Sequence, residues 1–312
     1  MKKNFADLSI AVFGDYCLDE YLWMDAALNE PSLETGLVAY QCTKRETYPG
    51  AAGTIAKNLS NLGIGKVYAV GYVGDDGRGF ELRRGLDSYG INHDCLATAK
   101  DRATATYTKP WLTENGQTRE LNRIDIKNWT PLPKAIEDQT LSSVEGLLGT
   151  LDALIIMDQI TEEGCGLITD RVRDSLAKIA RENPQLLVYA DSRRDVSRFE
   201  DMIIKGNNHE IPPENCRALS KRSGRPVVCT MGERGVLIHH KDEAIEIPGV
   251  PISGQIDVTG AGDMFTAGFV SALAAGEEIK MAGRIGNIGA ALCVQQLGTT
   301  GHVTEEDIRS RV

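Results

Sequence analysis

The sequence has no basic excess. Lys and Arg number 34 against 44 Asp and Glu, a formal net charge of −10. Nucleic acid and anionic membranes are therefore not the expected partners, because both demand a basic face. No apolar run approaches membrane-spanning length. Lys2 and Lys3 open the chain with charge, but Asp7 and Asp15 interrupt the stretch that an export signal keeps apolar. Cysteine is unpatterned: the 7 residues Cys17, Cys42, Cys95, Cys165, Cys216, Cys229 and Cys293 form no Cys-x-x-Cys or Cys/His cluster. They read as small buried hydrophobes in a reducing cytoplasm, not as a disulfide frame or a zinc site. Internal repeats and low-complexity tracts are also missing. At 312 residues the chain can bury the core of one large α/β domain. An acidic balance does not exclude a small anionic ligand, which needs only local amides, a cation and little basic side chain.

What is present centres on Asp257-Val258-Thr259-Gly260-Ala261-Gly262-Asp263, followed at once by the apolar run Met264 to Leu273. Small residues ahead of an apolar run describe a buried helix whose first amides are bare and carry the positive end of the dipole. Gly260, Ala261 and Gly262 leave those amides open to an anion. Asp263 would repel that anion, so it needs a reason to be there. Removal of a proton from an attacking hydroxyl supplies one. A glycine-capped helix with an acid in its first turn explains the same residues without any chemistry.

This stretch resembles the Asp-x-Thr/Ser-Gly-Ala-Gly-Asp signature of the ribokinase family of carbohydrate kinases, also called the PfkB family. The resemblance implies transfer of the ATP γ-phosphoryl group to a sugar hydroxyl. It assigns Asp263 as the base, the amides of Gly260, Ala261 and Gly262 as the anion hole, and Asp257 with the Thr259 carbonyl to a monovalent-cation site such as one for K+. Gly298-Thr299 resembles the loop that completes that site. The implied fold is ribokinase-like: three layers, a mostly parallel central sheet flanked by helices, and a small β lid. The expected organisation is a single kinase domain over 1–312, with the lid formed by about 16–48 and 101–128.

Taken in order, Leu8 to Phe13 reads as a central parallel strand ending at Gly14-Asp15. Ligands bind at such carboxyl ends, so Asp15 and Asp19 are candidates for holding sugar hydroxyls; turn acids that cap the strand fit equally well. The phrase Gly14 to Tyr21 is similar to the N-terminal segment of the family. Residues 36–43 and 103–112 are β-rich and break the βα alternation, which predicts a small antiparallel sheet that excludes water from the site. Pro49 to Gly63 is small residues leading into a helix. The family carries Pro-Gly-Gly-Ala-Ala-Asn there, and this chain has Gly50, then Ala51 for the second glycine and Thr54 for the asparagine. The resemblance places all three against the sugar, so the changes bear on which sugar is bound. Gly74 to Gly79 matches a structural turn of the family, and Arg123-Ile124-Asp125 resembles its Arg-Leu-Asp.

Ala153 to Met157 reads as a second central strand ending at Asp158. Related heptose kinases have Asp-Tyr-x-Lys-Gly there, whereas this chain runs Asp158 to Gly164 with acids in place of the lysine. That substitution counts against an acceptor that is already phosphorylated. A helix is expected from Gly164 to Arg181. Asn207 and Glu210 match the family's Asn-x-x-Glu, which implies a role in ordering Mg²⁺ and its waters; the pair is also a helix-capping phrase. The stretch after Glu210 is shorter than in the family. Thr230, Gly232 and Gly235 match Thr-x-Gly-x-x-Gly, implied to lie under the nucleotide, and the resemblance implies an adenine contact for Asn287. His239 and His240 alternate faces of a strand and make no metal site.

The expected function is ATP-dependent phosphorylation of a sugar or sugar-like hydroxyl, nearest in pattern to bacterial heptose kinases. A nucleoside kinase of the same fold and a sugar- or nucleotide-binding regulator without catalysis are the rival readings. A homodimer through the lid is also expected.

Overall fold

The computed structural model describes residues 2–240, 242–296 and 301–312. In chain order it runs β1 (Ser9–Gly14), β2 (Tyr16–Asp25), β3 (Glu30–Pro31), β4 (Val38–Ala39), β5 (Cys42–Ala51), α1 (Ala52–Asn61), β6 (Lys66–Gly74), α2 (Gly77–Ser88) and β7 (Leu96–Ala99). Then come β8 (Thr106–Glu114), β9 (Gln117–Glu120), β10 (Ile124–Ile126), α3 (Lys134–Leu147), β11 (Ala153–Asp158), α4 (Asp170–Glu182), β12 (Leu187–Ser192) and β13 (Ile203–Asn207). The chain closes with α5 (Cys216–Ser223), β14 (Val227–Thr230), β15 (Val236–His240), β16 (Glu243–Ile247), α6 (Ala261–Ala274), α7 (Ile279–Cys293) and α8 (Glu305–Arg309).

The main sheet has nine strands in the order β16-β15-β14-β13-β12-β11-β1-β6-β7. β7 through β14 pair in parallel, and the last two join antiparallel at one edge. Every residue of β1 and β11 is buried, as expected of strands covered on both faces. Alternation along β1 sends Ile10 and Val12 into one apolar cluster, with Ile55, Leu59, Phe265 and Phe269 from α1 and α6. Ala11 and Phe13 enter a second cluster with Val144, Val172 and Leu176 from α3 and α4. Strand order reverses between β1 and β11, and at such a switch the carboxyl ends of neighbouring strands diverge and open a crevice.

The second sheet has the order β10-β8-β2-β5, with β9 added on β8. The sequence reading expected an antiparallel pair of segments here. β2 instead pairs antiparallel with β5 and parallel with β8. The Gly14 to Tyr21 phrase is accordingly no strand-end turn: after Asp15 the chain continues straight into β2. Pro49 to Ala51 is the end of β5, and α1 begins only at Ala52. Helix α4 also starts later than expected. Gly164 turns with φ +68°, and Thr169 Oγ1 caps the helix by accepting from Val172 N–H at 3.2 Å.

Helix α6 is buried from Met264 to Ala272. A Cβ on Gly268 would stand 3.3 Å from Gly286 Cα of α7, so two glycines allow these helices to cross closely. Phe265 and Phe269 stack at 5.5 Å beneath the sheet. The helix is thus anchored behind its own N-terminus, which it presents at the carboxyl edge of the sheet. Among the described residues no helix is long and apolar enough to cross a membrane.

Candidate active site

Two clefts meet at the N-terminus of α6. One, of about 360 Å³, is lined by Lys205, Asn207, Thr230, Gly232, Gly235 and Asn287 together with Gly260 to Asp263. The other, of about 430 Å³, lies toward the second sheet and is lined by Asp19, Ala51, Thr54, Lys109, Arg123 and Lys127, among others. Arg193, Gly260 and Asp263 line both. A carboxylate at the junction of two clefts is the arrangement that group transfer between two bound molecules requires.

Gly260 caps α6 with φ +77°, a left-handed conformation that favours glycine. This geometry leaves the Gly260 and Gly262 amides without an acceptor among the described residues. Ala261 differs from the sequence expectation: its N–H donates to Val258 O at 3.3 Å, so it is the least available of the three amides. Asp263, the third residue of the helix, has a buried Oδ1 with no hydrogen-bond partner among the described residues. Arg193 Nη2 is 4.0 Å away, beyond hydrogen-bond reach. Burial pushes the Asp263 carboxyl up to about 6; Arg193 opposes the shift and Asp191 adds to it. A carboxyl near neutrality in a cleft is poised for proton transfer.

Asp19 lines the second cleft with Lys109 Nζ 3.6 Å from its carboxylate. Burial raises its pKa, and Lys109 opposes the rise. Gly50 does not line the cleft. A Cβ there would sit 3.0 Å from Asp19 Cγ, so Gly50 makes room for that carboxylate. Ala51 holds φ 52°, ψ −116°, a region that L residues other than glycine rarely adopt. The backbone keeps the shape a glycine would favour, at a cost in strain. Thr54 lines the cleft, but its hydroxyl donates to Pro49 O at 3.3 Å.

Asp15 requires a correction. It was expected beside Asp19 as a ligand-binding acid, yet it is 3% exposed and lines neither cleft. Its Oδ2 accepts from Gln159 N–H at 2.9 Å and Ile160 N–H at 3.0 Å, and its Oδ1 from Leu167 N–H at 2.7 Å. Side chains alternate along the extended segment 15–19, but Asp15 sits where β1 abuts β11, so the bare amides after β11 capture it. It ties the 159–167 loop to the sheet.

Asn207 and Glu210 form a closed local motif. Asn207 Oδ1 accepts from the His209 and Glu210 amides at 2.8 and 3.0 Å, and Glu210 Oε2 accepts from Asn207 N–H at 2.8 Å. Glu210 Oε1 accepts from Arg193 Nη1 at 3.1 Å. Each carboxylate oxygen retains a further lone pair, which fits a divalent cation held through its own water. Asp257 Oδ1 accepts from Thr259 N–H at 2.9 Å, and the Gly298-Thr299 loop named for the monovalent site lies outside the described residues. Among the described residues no cluster of three or more His, Cys, Asp or Glu is placed to hold a metal. Asn287 donates to Pro248 O at 2.8 Å from the edge of the first cleft.

Sequence reading missed Arg193, Lys205, Lys109 and Lys127, and matched Arg123 to the family's Arg-Leu-Asp without assigning it to the site. Lys205 carried a signal, a lone lysine directly after the apolar run Met202 to Ile204. Arg193 follows a strand end, where ligand-facing residues concentrate. Lys109 and Lys127 gave no local sign. Glu162, one of the acids expected to discourage a phosphorylated acceptor, pairs with Lys127 at 2.8 Å, so the stretch does not leave that cleft acidic.

Solved structures share this architecture. Arabidopsis thaliana ribokinase, determined with ribose and ATP, aligns with a TM-score of 0.70 at 18% identity, over 97% of this chain and 98% of that one. Escherichia coli phosphofructokinase-2, determined with fructose-6-phosphate, aligns with a TM-score of 0.71 at 17% identity, over 97% of each chain. The fold is therefore ribokinase-like. Among curated relatives, the bifunctional protein HldE of Bradyrhizobium sp. (strain ORS 278) is 26% identical over 99% of this chain and 66% of its own length. That of Pelobacter propionicus is 27% identical over 93% of this chain and 60% of its own. The chain thus spans somewhat less than two thirds of these relatives. The model for the pfkB family carbohydrate kinases matches residues 9–306, and with nearly the whole chain covered the protein belongs to that family, phosphotransferases that use an alcohol group as acceptor.

Proposed function

We propose that this chain transfers the γ-phosphoryl group of ATP to a hydroxyl of a sugar, in the manner of a heptose kinase. The observation that carries the reading is the meeting of two clefts at Asp263. The nucleotide lies in the first cleft, against Thr230, Gly232, Gly235 and Asn287, with its terminal phosphoryl toward Gly260 and Gly262. The sugar lies in the second, with Asp19, Ala51 and Thr54 on its walls. Asp263 takes the proton of the attacking hydroxyl. The amides of Gly260 and Gly262, with a lesser share from Ala261, meet the charge that develops on the phosphoryl. Arg193 faces both clefts and screens that charge against Asp263.

Mg²⁺, held through water by Glu210 beside Asn207, would supply further charge neutralisation at the phosphates, and K⁺ at Asp257 and Thr259 would brace the anion loop. The second sheet acts as a lid. It brings Lys109, Arg123 and Lys127 over the sugar and excludes water, the competing nucleophile. Four cations, Lys109, Arg123, Lys127 and Arg193, line the acceptor cleft, each beside a carboxylate partner: Asp19, Asp125, Glu162 and Glu210. Their clustering favours a sugar whose own anionic group draws on those cations, and the resemblance to HldE favours a heptose.

An ATP-consumption screen over free and phosphorylated pentoses, hexoses and heptoses, with nucleosides included, tests this. Turnover highest with a phosphorylated sugar is the expected outcome. Turnover confined to nucleosides moves the chain to nucleoside kinases. Binding of sugars with no ATP consumed across the panel would make it a regulator.

A further inference from the structure

Lys205 is the central residue of β13 and is 1% exposed, yet it forms part of the floor of the nucleotide cleft. Its Nζ donates to Asp191 Oδ2 at 2.6 Å, and Asp191 is fully buried on the neighbouring strand β12. Among the described residues Asp191 is the one acceptor that Lys205 reaches, so two ammonium N–H groups remain. A Cβ on Gly262 would lie 3.1 Å from Lys205 Nζ and 3.9 Å from Arg193 Nη2. Two cations therefore converge on one side of Gly262, next to the first-turn amides.

We propose that Lys205 is a phosphate-contacting residue whose ammonium, aimed by Asp191, binds the terminal phosphoryl group of the nucleotide beside the Gly262 amide. The inference rests on the kinase reading above. A pair kept only for stability has no need of a cleft: replacing a buried ion pair by apolar side chains is often neutral or stabilising. This pair instead sits where three kinds of anion donor meet: bare amides, a guanidinium and an ammonium. It also accounts for glycine at position 262, since any side chain would press on the ammonium. Asp191 is the positioning residue. Its second oxygen, Oδ1, is buried without a hydrogen-bond partner among the described residues, so the carboxylate is committed to holding Lys205 by one oxygen and leaves the ammonium's other protons to the cleft.

The test is the double variant Lys205→Met/Asp191→Leu, which leaves neither charge buried alone. Calorimetric titration with ATP and with AMP is compared with the wild-type protein, and circular dichroism checks the fold. The expected result is ATP affinity lower by about tenfold or more, the worth of a charge-assisted hydrogen bond, with AMP affinity unchanged. Equal ATP affinity in variant and wild type overturns the role of Lys205 and leaves the kinase reading intact. Failure of the wild type itself to bind ATP overturns the kinase reading, and this inference with it. If the double variant does not fold, a crystal structure of the wild type with a non-hydrolysable ATP analogue decides. Lys205 Nζ within about 3.2 Å of a terminal phosphoryl oxygen supports the contact, and an ammonium bonded to Asp191 alone refutes it.

Discussion

Arg193 Nη2 and Asp263 Oδ1 stand 4.0 Å apart where the two clefts join. The guanidinium is near enough to act on the charge of the carboxylate and too far to share a proton with it. A direct hydrogen bond would hold Asp263 ionised but make it a weaker base. Without a nearby cation, burial would push the carboxyl higher still. The separation, set by Glu210 holding Arg193 at 3.1 Å from the other side, keeps the base ionised and open.

Removing the base should leave the fold and remove the chemistry. Asp263→Asn is expected to retain wild-type circular dichroism and lose on the order of 10²–10⁴-fold in kcat, the range of a general base. Steady-state kinetics with the best acceptor from the screen check this. Turnover near wild type would remove Asp263 from the mechanism.

The pH dependence follows from the same residue. Its folded-state pKa is raised to about 6, and a base works only when deprotonated. Activity should therefore be flat above roughly pH 7 and fall about tenfold per unit below about 6. Arg193→Met removes the cation that opposes the rise, so its acid limb should move to higher pH. A limb that stays in place in that variant would separate the two residues electrically.

Ala51 stores strain at φ 52°, ψ −116°. Strain of this kind costs roughly 1–3 kcal/mol, and the added freedom of glycine in the unfolded chain returns about 0.5–1 kcal/mol of it. Ala51→Gly should stabilise the protein by a net of about 1 kcal/mol, read as a higher urea midpoint with an unchanged slope. The Cβ also lines the acceptor cleft, so the KM for the sugar should change while that for ATP does not.

Asp15 is a structural residue in this geometry. Asp15→Ala strands three buried amides, each worth roughly 1–3 kcal/mol when left unsatisfied. The expected loss is several kcal/mol in denaturant unfolding, offset in part because burial disfavours the charged carboxylate. Enzyme that remains folded should show an acceptor KM close to wild type. A large KM effect with normal stability would return Asp15 to the binding site.

The segment between β2 and β5, which carries the separate two-stranded β3-β4 sheet, exposes Leu28, Leu33, Leu37, Val38 and Tyr40, with Leu33 fully exposed. A second copy covering this segment is the expected occupant, and sedimentation should find a homodimer at working concentration. A monomer that shows full activity would count against a lid shared between copies.

The mouth of α6 was legible in the sequence because everything about it is local. Glycines, bare amides, the dipole and an acid in the first turn are fixed by a few consecutive residues and an apolar helix behind them. The parallel strands were legible for a similar reason, since burial on both faces leaves an unbroken apolar run. The mixed pairing of the second sheet was not, because pairing direction depends on segments about 90 residues apart, as with Leu18 and Thr106. Charge partners were illegible for the same reason. Asp15 and Asp19 look alike in sequence, yet tertiary packing carries the amides of a distant loop to one and leaves the other facing a cleft. Arg193, Lys205 and the lid cations arrive from separate strands, and their convergence on Gly262 and Asp263 is set by the order in which those strands assemble. A residue's chemistry is thus written in its own neighbourhood of the chain, while what that chemistry acts upon is decided by which remote segments the core brings against it.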